Sequence, residues 1–385
     1  MVNRTPVSRI ALVGPIAEPG RPAVGGYESS NLRLLLVLRQ IFADVQPLAY
    51  PQASGSAIRK SFLYARGFSR LLANLLFAPG RGAAVHFTPL CRHFLAAELL
   101  VAFIARLRGY RLTLDLRAGM QETWFCKSSP LYRYAFRRLL SLASAITYEG
   151  ESYAGWLEIL APDTPRRLLP NFVPAGMLRR RADTALPSTP KLVYVGAVSE
   201  AKGVTAALRA FLILKRRFPG VTFVLVGRCE PDYRDVLLRE NLIDDAVTLT
   251  GPLPLEDVQR ELDQAHFFPF LTQWFGEGHS NAITEAMARG CVPIVSGHGF
   301  SKAVIACPEL VIPDREDSGA IAARMAEIWL SGRWGEISDA MTRRVAENFT
   351  DLQTRDILRV VYHHDYQLPP NIPDRLQTGG VAEGL

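Results

Sequence analysis

Short apolar runs alternate with segments of helical period along almost the whole chain. In the first half, β-branched and leucine-rich runs at 9–13, 84–86, 111–116 and 145–148 predict strands. Helical periodicity at about 29–41, 59–77, 92–106, 131–142 and 152–160 predicts the helices between them. The second half repeats the scheme, with strands predicted at 192–195, 223–226, 247–249, 267–270, 292–295 and 310–312. Helices of ordinary length fill most of the gaps. The strands are apolar throughout, as strands buried on both faces are. Such alternation builds parallel sheets covered by helices. Two successive sets predict an α/β protein with two Rossmann-like domains.

The segment 173–190, VPAGMLRRRADTALPSTP, is rich in Pro and small residues and has no helical period. It sets the expected domains at 1–182 and 187–350. A last helical stretch at about 354–366 follows with no strand, so 351–367 is read as a closing helix. The remainder, 368–385, is read as a flexible tail rich in Pro, Gly and polar residues.

A length of 385 residues suits two domains, and 48% apolar with 21% charged residues is an ordinary enzyme composition. The net charge of +7 conceals an asymmetry. Residues 1–185 hold 24 Lys and Arg against 11 Asp and Glu, while 186–385 hold 20 against 26. A basic half facing anionic lipid, nucleic acid or a phosphorylated acceptor, or simply a solvated basic surface, accounts for this. The five cysteines are scattered without metal-like spacing and read as reduced thiols. The chain start lacks a secretory pattern, and the apolar run at 94–104 contains Glu98 and is too short to span a bilayer. The expected location is cytoplasmic, with peripheral contact at the inner face of the plasma membrane left open.

In open parallel sheets, ligands sit beyond the carboxyl ends of the strands. Four loops qualify. The most informative is FGEGHSNAITEAMARGCVPIVS (275–296), where Glu277 and Glu285 flank the start of a helix. Gly278 keeps the turn open; His279, Ser280 and Asn281 bring polar side chains and backbone N–H groups to the helix start. Two hydroxyl-seeking carboxylates around an anion-binding helix end suit a nucleotide sugar. Singly, each of these residues is an ordinary capping feature. In VGAVSEAKG (195–203), Lys202 at a helix start could neutralise a diphosphate. The Gly25-Gly26 pair after the first strand permits close approach of a ligand, or is a plain flexible connection. Asp115 and Arg117 in LDLRAGMQE (114–122) either reach a cleft or form a structural pair. No Asp-x-Asp, HExxH, Walker or zinc spacing is present, so no metal and no other cofactor is expected. In AIRKSFLYARGFSRLLANLLF (57–77), Ile58, Phe62, Phe68, Leu72, Leu75 and Leu76 follow the helical period while Arg59, Arg66 and Arg70 line up elsewhere. That pattern fits an anionic membrane surface and a core-facing helix equally well.

On these motifs the chain resembles the GT-B glycosyltransferases of family 4, the retaining, nucleotide-sugar-dependent group. The resemblance rests on the Gly25-Gly26 loop, VGAVSEAKG, LVGRCEPD (225–232), VTLTGPLPLEDV (247–258) and EGHSNAITEAMARGCVPIVS (277–296), with Pro170-Asn171 before the linker. It covers nearly the whole chain and is strong from 191 to 300. It implies two Rossmann-like domains whose parallel sheets face a deep cleft, with the C-terminal helix crossing back onto the N-terminal, acceptor-binding domain. The C-terminal domain would bind the nucleotide sugar.

By resemblance, Glu277 would hold the hydroxyls of the transferred sugar, Glu285 the ribose, and Lys202 the diphosphate, aided by the backbone at Ser280 and Asn281. Gly26 would admit the phosphates, and Thr250-Gly251 would lie near the base. Three departures stand out. Ala197 occupies the position of the family's usual Arg, which leaves Arg228 or Arg117 to replace it. Asp115 stands where the family often has His. His279-Ser280 replaces Phe-Gly. The implied function is retaining transfer from an NDP-sugar to a hydroxyl, with Glu277, Lys202 and Asp115 catalytic and Arg117 and Asn171 on the acceptor side. The expected acceptor is a lipid-linked saccharide in bacterial surface-polysaccharide assembly, without nucleic acid as a partner. A scaffold that has lost transfer, and an NDP-sugar epimerase, stay open on the same residues.

Overall fold

The computed structural model describes residues 7–17, 25–52, 55–181 and 186–363. The expected tail at 368–385 lies outside the described residues, as do 182–185 of the linker and 364–367 of the closing helix. The chain divides into two compact units: one runs through Phe172 and resumes at Asp351, the other is Val173–Thr350. The change of unit comes ahead of the 182 read from composition. The reason is that the backbone after Phe172 already bonds to the second unit, Val173 N–H to the Phe349 carbonyl at 3.0 Å and Arg179 N–H to that of Ala288 at 2.8 Å.

The first unit contains β1 (Arg9–Gly14), α1 (Gly26–Ile41), β2 (Asp44–Ala49), α2 (Ala57–Phe77), β3 (Ala83–Phe87), α3 (Leu95–Leu107), β4 (Arg111–Leu116), α4 (Gln121–Lys127), α5 (Pro130–Ser141), β5 (Ala145–Tyr148), α6 (Tyr153–Leu160) and β6 (Arg166–Leu168). Its sheet runs β2-β1-β3-β4-β5-β6, with every pairing parallel. Ile10, Leu12, Val85, Phe87, Leu112, Leu114 and Ile146 are wholly buried, which is why these strands read as continuous apolar runs. Pro130 opens α5 at a position where its missing N–H costs nothing, and Ser129 caps it by accepting from Tyr132 N–H.

The second unit contains β7 (Lys191–Val195), α7 (Val204–Arg217), β8 (Thr222–Val226), α8 (Pro231–Arg239), β9 (Val247–Gly251), α9 (Leu255–Gln264), β10 (Phe267–Phe270), α10 (Asn281–Ala288), β11 (Val292–Val295), α11 (Ser301–Ile305), α12 (Ser318–Leu330) and α13 (Trp334–Asn348). The sheet order is β11-β10-β7-β8-β9, again parallel. The predicted strand at 310–312 is not one: Val311 makes an isolated bridge to Val295, and Pro308–Leu310 is a 3-10 turn.

The closing helix, α14 (Asp351–Tyr362), belongs to the first unit and packs on α1. Arg111 caps its end, donating to the carbonyls of Val361 at 2.5 Å and Tyr362 at 3.1 Å.

Each sheet has one place where the chain reverses its direction of travel, and there the loops after adjacent strands part to leave a crevice. In the first unit it lies between β1 and β3. In the second it lies between β7 and β10, because β8 and β9 extend one side of β7 while β10 returns to the other.

Candidate functional site

The crevice of the second unit brings together the two loops that carry Lys202 and Glu277. The loop after β7 ends at Gly203, which precedes α7 with a positive φ of 78°. A Cβ at that position would lie 2.0 Å from the Leu271 carbonyl oxygen, so only glycine lets this loop press against the end of β10. Gln273 N–H donates to the Ala201 carbonyl at 2.9 Å, which ties the loops together. Arg315 adds a second tie, donating to the carbonyls of Glu200 and Leu271 at 3.4 Å each.

In this frame Lys202 Nζ stands 2.6 Å from Glu277 Oε2. Thr272 Oγ1 donates to the same oxygen at 3.2 Å. Oε1 has no hydrogen-bond partner among the described residues. Lys202 is about one-fifth exposed and Glu277 one-tenth. The pair is therefore held in place at the rim while still within reach of a ligand. The Lys202 ammonium also lies 5.7 Å from the centre of the Trp274 ring.

Helix α10 begins beside Glu277. Ser280 occupies its N-cap position without a side-chain capping bond. Gly278 accepts from Phe300 N–H at 3.4 Å. His279 turns inward: Nε2 is 2.8 Å from Thr284 Oγ1, and its ring meets Phe349 edge-on at 5.0 Å. Its side chain is thereby committed within the unit. Asn281 is the first helical residue, and Glu285 is nine-tenths buried one turn further on.

Arg228 follows β8, and its side chain is three-quarters exposed and paired with Glu230 at 2.9 Å. Thr250 and Gly251 end β9, where Gly227 N–H donates to the Gly251 carbonyl at 3.0 Å. Arg228 does not bond to Lys202 or Glu277 among the described residues. The cation that joins these loops is Arg315, whose place in a loop before α12 carried no recognisable signal in sequence.

In the first unit, Gly25 caps α1 with a φ of 84°, and Gly26 is the first residue of that helix. The carboxyl end of β4 departs from expectation. Asp115 is fully buried and fully partnered: Thr147 Oγ1 donates to Oδ1 at 2.8 Å, Arg117 Nε to Oδ2 at 2.5 Å, and His86 Nε2 is 3.2 Å from Oδ2. Burial alone would raise its pKa, but the Arg117 guanidinium and His86 outweigh that and hold the carboxyl well below the usual carboxylate range. Arg117 Nη1 donates to Asn171 Oδ1 at 2.5 Å, and Ser30 to the same oxygen at 2.9 Å. His86 Nδ1 lies 2.8 Å from the Tyr362 hydroxyl of α14. Asp115, Arg117 and Asn171 thus form one internal network linking α1, three strands and α14, in which Arg117 Nη2 is buried without a hydrogen-bond partner among the described residues. His86 was missed because a lone histidine in a strand carries no pattern.

A second missed group is Glu98 on α3. It accepts from the Tyr50 hydroxyl at 2.8 Å and from the N–H groups of Leu90 at 2.7 Å and Cys91 at 2.9 Å. It thereby holds the loop after β3, where Cys91 and Arg92 adopt positive φ. Burial pushes its pKa up to about 7 against the lowering by those bonds.

Comparison with known proteins agrees with this architecture. Residues 189–330 match the family model "Glycosyl transferases group 1". That segment holds both loops of the crevice. Over 117 residues the chain is 32% identical to the amylovoran biosynthesis glycosyltransferase AmsK of Erwinia amylovora, a match spanning 29% of this chain and 28% of that protein. Among solved structures, HepE of Anabaena in complex with UDP-glucose superposes with a TM-score of 0.67 at 14% identity, covering 91% of this chain and 98% of that one. A glycosyltransferase of Rickettsia africae gives 0.66 at 12% identity, covering 93% and 98%. The chain has the two-sheet α/β fold of these structures, the GT-B fold.

Proposed function

We propose that this protein is a glycosyltransferase of the retaining kind, moving a sugar from an NDP-sugar to a hydroxyl acceptor. The observation that carries the reading is the Lys202–Glu277 pair at the β7/β10 crevice, with one carboxylate oxygen engaged and the other open. Glu277 would accept hydrogen bonds from hydroxyls of the transferred sugar. Lys202 has three donors and can hold Glu277 and a phosphate oxygen together. As the glycosidic bond breaks, negative charge grows on the leaving diphosphate. Lys202 and the N-terminus of α10, an eight-residue helix, would stabilise that charge. Glu285, Thr250 and Gly251 are assigned to the nucleoside. Asp115 acts at most by holding Arg117 and Asn171 in place. The fit of residues 189–330 to the glycosyl transferases group 1 model and the likeness to HepE, solved in complex with UDP-glucose, support the donor class.

The acceptor is proposed to be a lipid-linked saccharide of surface-polysaccharide assembly, reached from the cytoplasmic face of a membrane. The relative from amylovoran biosynthesis supports this. Helix α2 supports it also. Its buried residues are Phe68, Leu71 and Leu75, all in the second half, while Ile58, Phe62 and Phe77 are 85%, 65% and 81% exposed among Arg59, Lys60, Arg66 and Arg70. Such a face suits an anionic bilayer surface. No helix among the described residues is long and apolar enough to cross a membrane.

A melting-temperature screen with UDP-, GDP- and ADP-sugars tests the donor. The matching NDP-sugar stabilises by mass action. Silence from every NDP-sugar, or conversion of one to its epimer without an acceptor, ends the reading. Binding to anionic vesicles that weakens with salt is expected for α2, and absence of any salt-sensitive vesicle binding would remove this membrane role.

A further inference from the structure

Trp274 stands in the same loop as Glu277 with 52% of its surface exposed. The other tryptophans are placed differently: Trp156, Trp329 and Trp334 are buried and Trp124 is half-buried. A lone exposed apolar side chain needs no explanation in itself. This one is unusual in how firmly it is mounted. Its backbone N–H donates to Thr272 Oγ1 at 3.1 Å, and its carbonyl accepts from Glu277 N–H at 2.9 Å and from His298 Nε2 at 2.9 Å. Gly276 leaves room at the indole edge, where a Cβ would come within 3.0 Å of Trp274 Nε1. The backbone is pinned, and the ring projects beside the Lys202 ammonium, 5.7 Å from its centre.

A pyranose has a hydroxyl rim and an apolar face of C–H bonds. A carboxylate suits the rim, replacing the water that the hydroxyls give up, and a flat aromatic ring suits the face, whose C–H bonds have no polar partners to lose. The loop after β10 offers the two side by side. We infer that Trp274 is the platform on which a pyranose ring rests, positioning the sugar whose hydroxyls Glu277 engages. This deepens the glycosyl-transfer reading and rests on it. The ring could belong to the donor or to an acceptor saccharide, and the chemistry is the same for both.

Trp274 is also the tryptophan best placed to report its own occupancy by fluorescence. UDP-glucose, UDP-galactose, GDP-mannose and ADP-glucose are titrated beside UDP, GDP and ADP, and beside methyl glycosides of glucose, galactose and mannose. A change in indole emission with an NDP-sugar but not with its nucleotide assigns the platform to the donor ring. A change with a methyl glycoside assigns it to the acceptor ring. Either change should vanish in Trp274→Phe while thermal stabilisation by the ligand survives. In Trp274→Ala the ligand should bind about tenfold more weakly. The inference is overturned if an NDP-sugar raises the melting temperature and binds Trp274→Ala as tightly as the parent protein while neither the NDP-sugars nor the methyl glycosides change the emission. If methyl glycosides change Trp274 emission while no NDP-sugar stabilises the protein, the platform stands and the transfer reading falls. Silence of every probe in both measurements overturns both.

Discussion

The two units place charged side chains at the carboxyl ends of their strands to opposite effect. In the first, Asp115, His86 and Arg117 are buried to within 2% exposure, and both carboxylate oxygens are partnered. In the second, Lys202 and Glu277 keep partial exposure, and one carboxylate oxygen remains open. A carboxylate sealed among partners is committed to holding elements together, because removing its charge from water is repaid only by counter-charge and hydrogen bonds around it. A charge held at the rim by one ion pair and one hydroxyl is oriented without being used up. Similar sheets can therefore carry a sealed network in one unit and a partly open ion pair, the proposed donor contact, in the other.

The comparison can be broken most forcefully at Asp115. Asp115→Ala should leave Arg117 buried without its counter-charge and cost about 3–5 kcal/mol of stability in the first unit, read by denaturant unfolding. Melting stabilisation of the second unit by nucleotide should persist. Unchanged stability would mean that the network is not structural. Glu277→Ala should do the reverse. Transfer activity should fall about a hundredfold or more through loss of a charged hydrogen-bond partner, with little change in melting temperature. Full activity in that variant would remove the proposed site.

The smallest effect, about 2 kcal/mol in each unit, concerns pH. Glu98 titrates near 7 in the folded first unit instead of the usual 4.5. Between those values the fold holds a proton that the unfolded chain does not, so its contribution is full below about 4.5 and is lost as pH rises through about 7. His266, in the second unit, is driven down by burial from 6.5 to about 4, with Nδ1 accepting from Lys191 N–H at 3.0 Å. Its contribution is full above 6.5 and is lost as pH falls through about 4. Acidification from pH 7 to 5 should thus favour the first unit and weaken the second. Unit-resolved hydrogen exchange reads this, and Glu98→Gln and His266→Phe should each flatten the response of their own unit. Parallel responses of the two units would contradict the assignment.

Most central strands were legible because burial on both faces demands apolar runs, as at Phe267–Phe270 and Val292–Val295. The strands that escaped were both at sheet edges. Asp44–Ala49 contains Pro47 and is largely unburied, and Arg166–Leu168 has three residues. An edge strand is held by backbone bonds to one neighbour, which leave little trace in side-chain type. The apolar stretch at 310–312 misled for the converse reason: it is buried without joining a ladder. At the site, Lys202 and Glu277 could each be picked out from their loops, 75 residues apart. Asp115 and Arg117 were picked out on the same grounds, yet both are turned inward.

By itself the sequence determined the alternation of strand and helix, the presence of two parallel sheets, and which loops follow strand ends. These are local matters of period, burial and turn chemistry. Tertiary structure alone decided that β10 lies beside β7, which sets an ammonium 2.6 Å from a carboxylate. It also decided that His86, Thr147 and Arg117 close around Asp115. Whether a charged side chain serves the interior or a ligand depends on how many partners the fold brings to it, and strand order, not residue type, sets that number.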